Sequence, residues 1–347
     1  MNAVQRLSRI TMICVDPDRS ADFYEAAFGF VRTGEASMTE PAFGELIGIP
    51  NATARVVRLQ LGKQTIELAA VTPSGQAYPP GVSGRSPLFQ HFAIVVSDMA
   101  TAYARLSECE DWKPISTDGP QLLPASSGGV TAYKFRDPEG HPLELITFMR
   151  TAIPVKWQET SATGCLGIDH SAISIADTKR SVRFYARFGL QRIGDSLNSG
   201  PEQDKLDNVQ GARVEVTALA QPRSFAPHVE LLCYRSCVER ELALPGTNDV
   251  AATRLVLAVS NDEMGALCAQ NTDAVQSGPV RFEQGVVRAI LRDPDGHLLC
   301  LEGSAATAGG LNSGTSLYTI GVVADRGIGP AENIEPARRR AAKAKRR

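Results

Sequence analysis

The sequence predicts an α+β fold: four βαβββ modules that assemble into two paired, curved sheets with helices outside. Three observations predict it. A strand-like apolar run followed by a helical stretch occurs four times. Each of the four copies closes on another apolar strand. The second and fourth copies also share a turn, RDPEGH (136–141) and RDPDGH (292–297), in which Pro presets φ and Gly supplies the left-handed position.

The first strands are RITMICVD (9–16), HFAIVVSD (91–98), HSAISIAD (170–177) and RLVLAVSN (254–261). Each alternates well enough for a strand and ends near an acidic or amide residue. Helical stretches follow: RSADFYEAAFGF, MATAYARL, TKRSVRFYARFGL and DEMGALCAQ. In the first, Phe23, Ala27 and Phe30 fall at helical spacing. Copies one and three share Phe-Tyr and then Phe-Gly, with Gly29 and Gly189 where a helix C-cap needs positive φ. The closing strands are QTIELAAV with Glu67, HPLELITF with Glu144, HVELLCYR with Glu230, and HLLCLEG. Phe-Tyr marks the odd copies and Asp-Pro-Xaa-Gly the even ones, so the repeating unit is a pair of modules. Residues 1–150 (modules one and two) and 165–304 (modules three and four) are read as two domains, followed by a C-terminal extension over 305–347.

Bulk properties set outer limits. The chain has 347 residues, 43% of them apolar and 21% charged, with a formal net charge of −2, which gives no overall case for nucleic acid or a membrane. Arg338, Arg339, Arg340, Lys343, Lys345, Arg346 and Arg347 make a basic end with no apolar face, read as a solvated tail. Seven scattered cysteines contain no CxxC pair, so neither a zinc ribbon nor a disulfide framework is expected. No signal-peptide core precedes the first module, and no apolar stretch is long enough to span a bilayer. The expectation is a cytoplasmic protein, monomeric or homodimeric, that acts on a small molecule.

The order strand, helix, three strands, repeated in phase over residues 6–304, resembles the vicinal-oxygen-chelate superfamily: glyoxalase I, methylmalonyl-CoA epimerase, fosfomycin and bleomycin resistance proteins, and extradiol dioxygenases. The resemblance implies half-barrels of two modules, each half-barrel holding one divalent metal. Each module would give one ligand from the start of its first strand and one from its last. On this chain those positions are Arg9, His91, His170 and Arg254, and Glu67, Glu144, Glu230 and Cys300; Glu302 lies two residues beyond Cys300 on the same face but out of register. If neighbouring modules pair, both sites are damaged. If modules two and three pair, and one and four, the first pair holds His91, Glu144, His170 and Glu230, and the second has lost both imidazoles. The second arrangement is favoured.

Taken singly, a His opening a strand or a Glu within one has an ordinary structural explanation. The chain has only five histidines, however, and two of them fall on matching repeat positions. His141 and His297 read as structural parts of their turns, and His228 as a neighbour of Glu230. Arg9 and Arg254 are either anion clamps or, preferably, plain surface or interface residues. The polar stretch LNSGPEQDKLD (197–207) reads as a loop of the same half-barrel and offers Asn198, Glu202 and Gln203 as substrate contacts; PASSGG (124–129) is a second loop there.

The resemblance implies an isomerase or lyase of glyoxalase type using one divalent ion (Fe, Mn, Ni, Co or Zn), with Glu144 or Glu230 moving a proton. An Fe(II) extradiol dioxygenase is the alternative, since two His and one carboxylate are present. A metal-free small-molecule binder is the third reading. No dinucleotide fingerprint or Ser-His-Asp arrangement is visible.

Overall fold

A computed structural model describes residues 4–304, apart from 160, 223, 225–226 and 236–242. The basic C-terminal run lies outside the described residues.

Module one contains β1 (Val4–Ile13), α1 (Pro17–Phe28), β2 (Val31–Met38), α2 (Pro41–Ile47), β3 (Thr53–Leu61) and β4 (Gln64–Thr72). Module two contains β5 (Gln90–Val96), α3 (Met99–Ser107), two short strands β6 (Lys113–Pro114) and β7 (Gln121–Leu122), β8 (Thr131–Arg136) and β9 (Pro142–Thr147). Module three repeats the first with β10 (Cys165–Ser174), α4 (Thr178–Ala186), β11 (Gln191–Ser199), α5 (Pro201–Asp207), β12 (Arg213–Ala220) and β13 (His228–Tyr234). Module four ends the fold with β14 (Arg254–Ser260), α6 (Asn261–Gln270), β15 (Val275–Arg281), β16 (Val287–Arg292) and β17 (Leu298–Ser304).

The acidic residues after the first strands begin the helices. Asp16, Asp98 and Asp177 accept from backbone N–H groups of the first turn, and in module four Ser260 does so in place of Asn261. Gly29, at φ 73°, closes α1 in the left-handed conformation expected of it.

The sheets do not follow chain order. One has eight strands ordered β15-β16-β17-β14-β1-β4-β3-β2; the other has nine, ordered β11-β12-β13-β10-β5-β9-β8-β6, with β7 paired to β8. Modules one and four therefore share a sheet, as do two and three. Within each module the first strand runs parallel to the last, and the modules join antiparallel through β1–β14 and β5–β10.

Period-two alternation divides each sheet into two faces. On one face Ile66, Leu68, Leu143, Leu145, Val229, Leu231 and Leu299 join Phe23, Tyr24, Met99, Phe184 and Met264 of the four longer helices in a common core. The other face forms a cup. In the sheet of modules one and four, Phe43, Leu46 and Ile47 of α2 fill this cup against Ile13, Val71, Val256, Ile290 and Cys300. The two short helices thus depart from the expectation that helices lie outside, because α2 buries its apolar residues against the cup face. The stretch read as a polar loop (197–207) is the end of β11 and all of α5, whose polarity had masked its Pro-initiated helix.

The alternation of sequence landmarks has a structural cause. Tyr24 of module one donates to Asp137 of module two at 2.9 Å, and Tyr185 of module three donates to Asp293 of module four at 3.0 Å. Glu139 and Asp295, the variable residues of the two turns, accept backbone N–H groups of Asp16 and Ala176 respectively. His141 bridges Asp137 to the carbonyls of Ile13 and Val250, and His297 reaches the carbonyl of Ser174. Both histidines are buried and structural, as the sequence indicated. Sheet pairing joins modules two to three and one to four, while these Tyr–Asp contacts join one to two and three to four.

Candidate metal centre

The cup of modules two and three gathers charged side chains. His91 opens β5 and His170 lies on β10; the antiparallel pairing of those strands brings both imidazoles onto the cup face, 5.8 Å apart between ring centroids. Glu144 on β9 lies opposite Ala93, two residues past His91, and Glu230 on β13 lies opposite Ala172, two past His170. The same local register in both modules carries one carboxylate toward each imidazole.

Glu144 Oε2 is 3.2 Å from His91 Nε2 and 3.3 Å from His170 Nε2; Glu230 Oε2 is 3.6 Å from His170 Nε2. Ligand atoms of His91, Glu144 and His170 all lie within 4.8 Å of one another. Asp169 stands behind His170, its Oδ2 3.3 Å from Nδ1, and is itself held by the Trp157 indole at 2.9 Å and by Lys156 at 2.7 Å. Such a carboxylate behind an imidazole fixes the ring and frees the other nitrogen as a ligand. His228 lies opposite His170 on the neighbouring strand, its ring 5.4 Å from that of His170 and its Nε2 3.2 Å from Glu230 Oε1.

Burial opposes the charge on each of these groups, and neighbours decide the balance. Despite burial, Glu144 is held well below the usual carboxylate range by its contacts with His170 and His91 and by the nearby Lys134 charge. Glu230 is lowered likewise by His170 and His228. The carboxylates of Glu230, Asp169 and Glu144 push His170 up against its burial, whereas burial lowers His91. The buried His170 Nε2 has no hydrogen-bond partner, although two carboxylates face it. An unbonded imidazole nitrogen among convergent carboxylates fits a divalent cation in donor type and charge.

Residues not singled out in the sequence complete the wall. Lys134 on β8 lies opposite Glu144, and its Nζ donates to Asp207 Oδ1 on α5 at 2.7 Å. Tyr234 and Gln203 donate to Asp207 Oδ2 at 2.9 and 2.6 Å. Of the expected substrate contacts, Gln203 is buried within this network and Asn198 lies opposite Val214 on the cup face, its Oδ1 buried without a partner. Glu202 lies half-buried in the first turn of α5, outside the Asp207 network.

In the other cup Arg9 occupies the place of a cation. Its guanidinium makes two 2.7 Å hydrogen bonds to Glu302 and its Nε lies 2.7 Å from Glu67. Arg58 and Arg288 flank the two carboxylates at 2.7 and 2.8 Å. The preference for surface positions is corrected here: Arg254 is buried, and the Arg9 side chain is only 11% exposed. Arg254 turns to the Thr247 carbonyl, and burial lowers its pKa to about 10. Register does match Cys300 to Glu144, since Cys300 lies opposite Val256, two past Arg254. The carboxylate that answers Arg9 is nevertheless Glu302, one turn of the pleat further on.

Residues 6–145 match the family model described as the glyoxalase/bleomycin resistance protein/dioxygenase superfamily. The match spans modules one and two. Among solved structures, the chain is similar to glyoxalase I from Zea mays, with a TM-score of 0.56 at 15% identity over 86% of this chain and 92% of that one. It is also similar to a putative dioxygenase from Bacillus subtilis, with a TM-score of 0.55 at 13% identity over 87% and 86%. These likenesses are of fold. The comparison with curated proteins finds no match. No helix among the described residues is long and apolar enough to cross a membrane.

Proposed function

We propose that the whole chain is a member of this superfamily and a metal-dependent isomerase or lyase of glyoxalase type, acting on a small substrate with vicinal oxygens. One observation carries the reading: His91, Glu144 and His170, drawn from two modules, bring ligand atoms within 4.8 Å of one another, and Glu230 Oε2 lies 3.6 Å from His170 Nε2. These four would hold one divalent ion among Fe, Mn, Ni, Co and Zn, and two imidazoles with two carboxylates leave room for a bidentate ligand. The ion would supply Lewis acidity toward the substrate's two oxygens.

The two carboxylates have different surroundings, and this divides their roles. Glu144 is wedged between both imidazoles with 7% of its side chain exposed, which suits a fixed ligand. The Glu230 side chain is 21% exposed and is held through Oε1 by His228, so its Oε2, on leaving the ion, would take and return a proton. Asp169 keeps His170 oriented. Gln203 and Asn198 border the substrate space on one side, with Glu202 at its edge.

The test is metal analysis and turnover on a panel of 2-oxoaldehyde–thiol adducts and related compounds. His170→Ala is expected to abolish metal uptake and turnover together. Glu230→Gln is expected to lower turnover at least tenfold more than metal content, because an amide offers an oxygen but takes no proton, roughly the scale of a lost general base. Wild-type protein that takes up none of the five metals overturns the reading.

A second reading has its own support. His91, Glu144 and His170 alone make a two-His, one-carboxylate set within 4.8 Å, the donor set of Fe(II) oxygenases. Oxygen consumption with a catechol by the iron-loaded protein would select it over the first.

A further inference from the structure

The two cups follow one plan, so residues of the charged cup have counterparts in the filled one. Lys134 lies opposite Glu144 as Ile290 lies opposite Cys300. Helices α5 and α2 both begin at Pro and end at a left-handed cap, and the carbonyls of Leu206 and Leu46 accept from Ser116 and Ser277. That superposition matches Gln203 to Phe43 and Asp207 to Ile47. On the closing strands Tyr234, four past Glu230, matches Val71, four past Glu67.

In the filled cup these positions are Ile290, Phe43, Ile47 and Val71, all buried and packed together. In the charged cup they are Lys134, Gln203, Asp207 and Tyr234, each at most 8% exposed. The fold therefore accepts apolar side chains at all four places, where burial would be favourable, and a buried ion pair is weak evidence of added stability. Metal binding does not explain the four either, since none belongs to the convergent ligand set. What they provide is an ammonium beside Glu144. Asp207 accepts from Lys134 on one oxygen and from Tyr234 and Gln203 on the other, and among the described residues this is the single hydrogen bond Lys134 Nζ makes. An ammonium has three donors. Gln203 Oε1 is buried without a partner in the same network.

We propose that Lys134 is a substrate-binding residue, fixed by Asp207, that donates to an anionic oxygen of a substrate chelated at His91, Glu144, His170 and Glu230. The substrates favoured are small vicinal-oxygen acids, 2-oxo or 2-hydroxy carboxylates, over uncharged diols and carbonyls. The inference rests on the metal-site reading above. Lys134 sets specificity, and Gln203 accepts from a substrate hydroxyl on the same side.

The test uses the full-length protein loaded with Co(II), titrated calorimetrically with two chelating probes. Oxalate presents outer anionic oxygens beyond its chelating pair; acetohydroxamate presents a methyl group. Lys134→Met is expected to weaken oxalate about 30-fold, the scale of a lost charge-assisted hydrogen bond, and acetohydroxamate by less than about threefold. The double variant Lys134→Ile/Asp207→Ile copies the filled cup, leaves no stranded carboxylate, and is expected to bind cobalt with the same selective loss. Oxalate affinity unchanged in both variants, or equal losses for both probes, overturns the proposal while the metal site stands. A wild type that takes up no cobalt overturns the metal-site reading and this proposal with it.

Discussion

Replacing Arg9 by Ala should destabilise the protein by about 3 kcal/mol at pH 7, and the size follows from the partners left behind. Arg9 bridges Glu302 and Glu67 with its side chain 11% exposed. Removing one member of a buried ion pair costs about 3–5 kcal/mol because the other charge is stranded. Here neither carboxylate is wholly stranded: Glu67 keeps Arg58 and the Thr11 hydroxyl, and Glu302 keeps Arg288. The lower end of the range therefore applies. The pKa of Glu67 gives the same scale. Burial raises it, but Arg9 and Arg58 outweigh burial and hold it at about 2. Against an ordinary value of 4.5, that is worth about 3 kcal/mol to the ionised fold at neutral pH. A carboxylate lowered in the fold contributes fully above its unfolded value and loses that contribution as pH falls toward the folded value. Wild-type stability should thus decline from about pH 4.5 downward, and the Arg9→Ala curve should start lower and fall less steeply. Urea denaturation followed from pH 7 to about pH 3 measures both. A deficit below about 1 kcal/mol at pH 7, or a gap that stays constant down to pH 3, would refute the assignment of Arg9 as the bridging cation. Metal content should not change, since the proposed ligand set lies in the other cup.

Phe43→Ala should cost about 3–4 kcal/mol by opening a cavity in the filled cup, read as a lower urea midpoint with unchanged metal content. Tyr24→Phe removes the phenol donor from a buried Asp137 that its neighbours keep ionised. It should cost about 2 kcal/mol in the same assay, and a loss below about 0.5 kcal/mol would show that the Tyr–Asp contact does not hold modules one and two together.

Much of the fold was legible because each module repeats its own landmarks. Four strand–helix units in phase, with acidic residues at the helix starts, pointed to the sheets, and two histidines at matching positions pointed to the proposed ligand set. The alternation of Phe-Tyr with Asp-Pro-Xaa-Gly was visible too, but its cause, a hydrogen bond 113 residues apart in sequence, was not. Lys134 is hidden in the sequence because TAYKFR alternates like any strand with one polar face. Aligning the two Asp-Pro turns sets Lys134 against Ile290 and exposes the contrast. Likewise PEQDKLD looks like a loop until set beside PAFGELI, whose apolar residues declare a helix. At Glu302 counting succeeded and chemistry prevailed: register leads to Cys300, but the bulk of a guanidinium at Arg9 places its charge beyond the metal position, where the next inward residue meets it.

The unequal cups show how one scaffold separates stability from function. Phe43, Leu46 and Ile47 on α2 each bury a large apolar side chain, together worth about 6 kcal/mol or more of transfer free energy. The matching face of α5 carries Gln203 and Asp207 instead, and the strand beneath carries Lys134. Such a cup gains little from burial, because its polar groups exchange hydrogen bonds with water for hydrogen bonds with one another. Left to itself, a half-barrel of this composition would be weakly held. It is not left to itself. Tyr24 ties module two to module one, and Tyr185 ties module three to module four, so both halves of the charged cup are anchored to the sheet with the filled one. A loss of packing in the filled cup should therefore weaken metal affinity only indirectly, by lowering the fraction of folded protein. Replacing Lys134 and Asp207 together by isoleucine should alter ligand choice while the fold keeps its strength, because neither charge is left stranded.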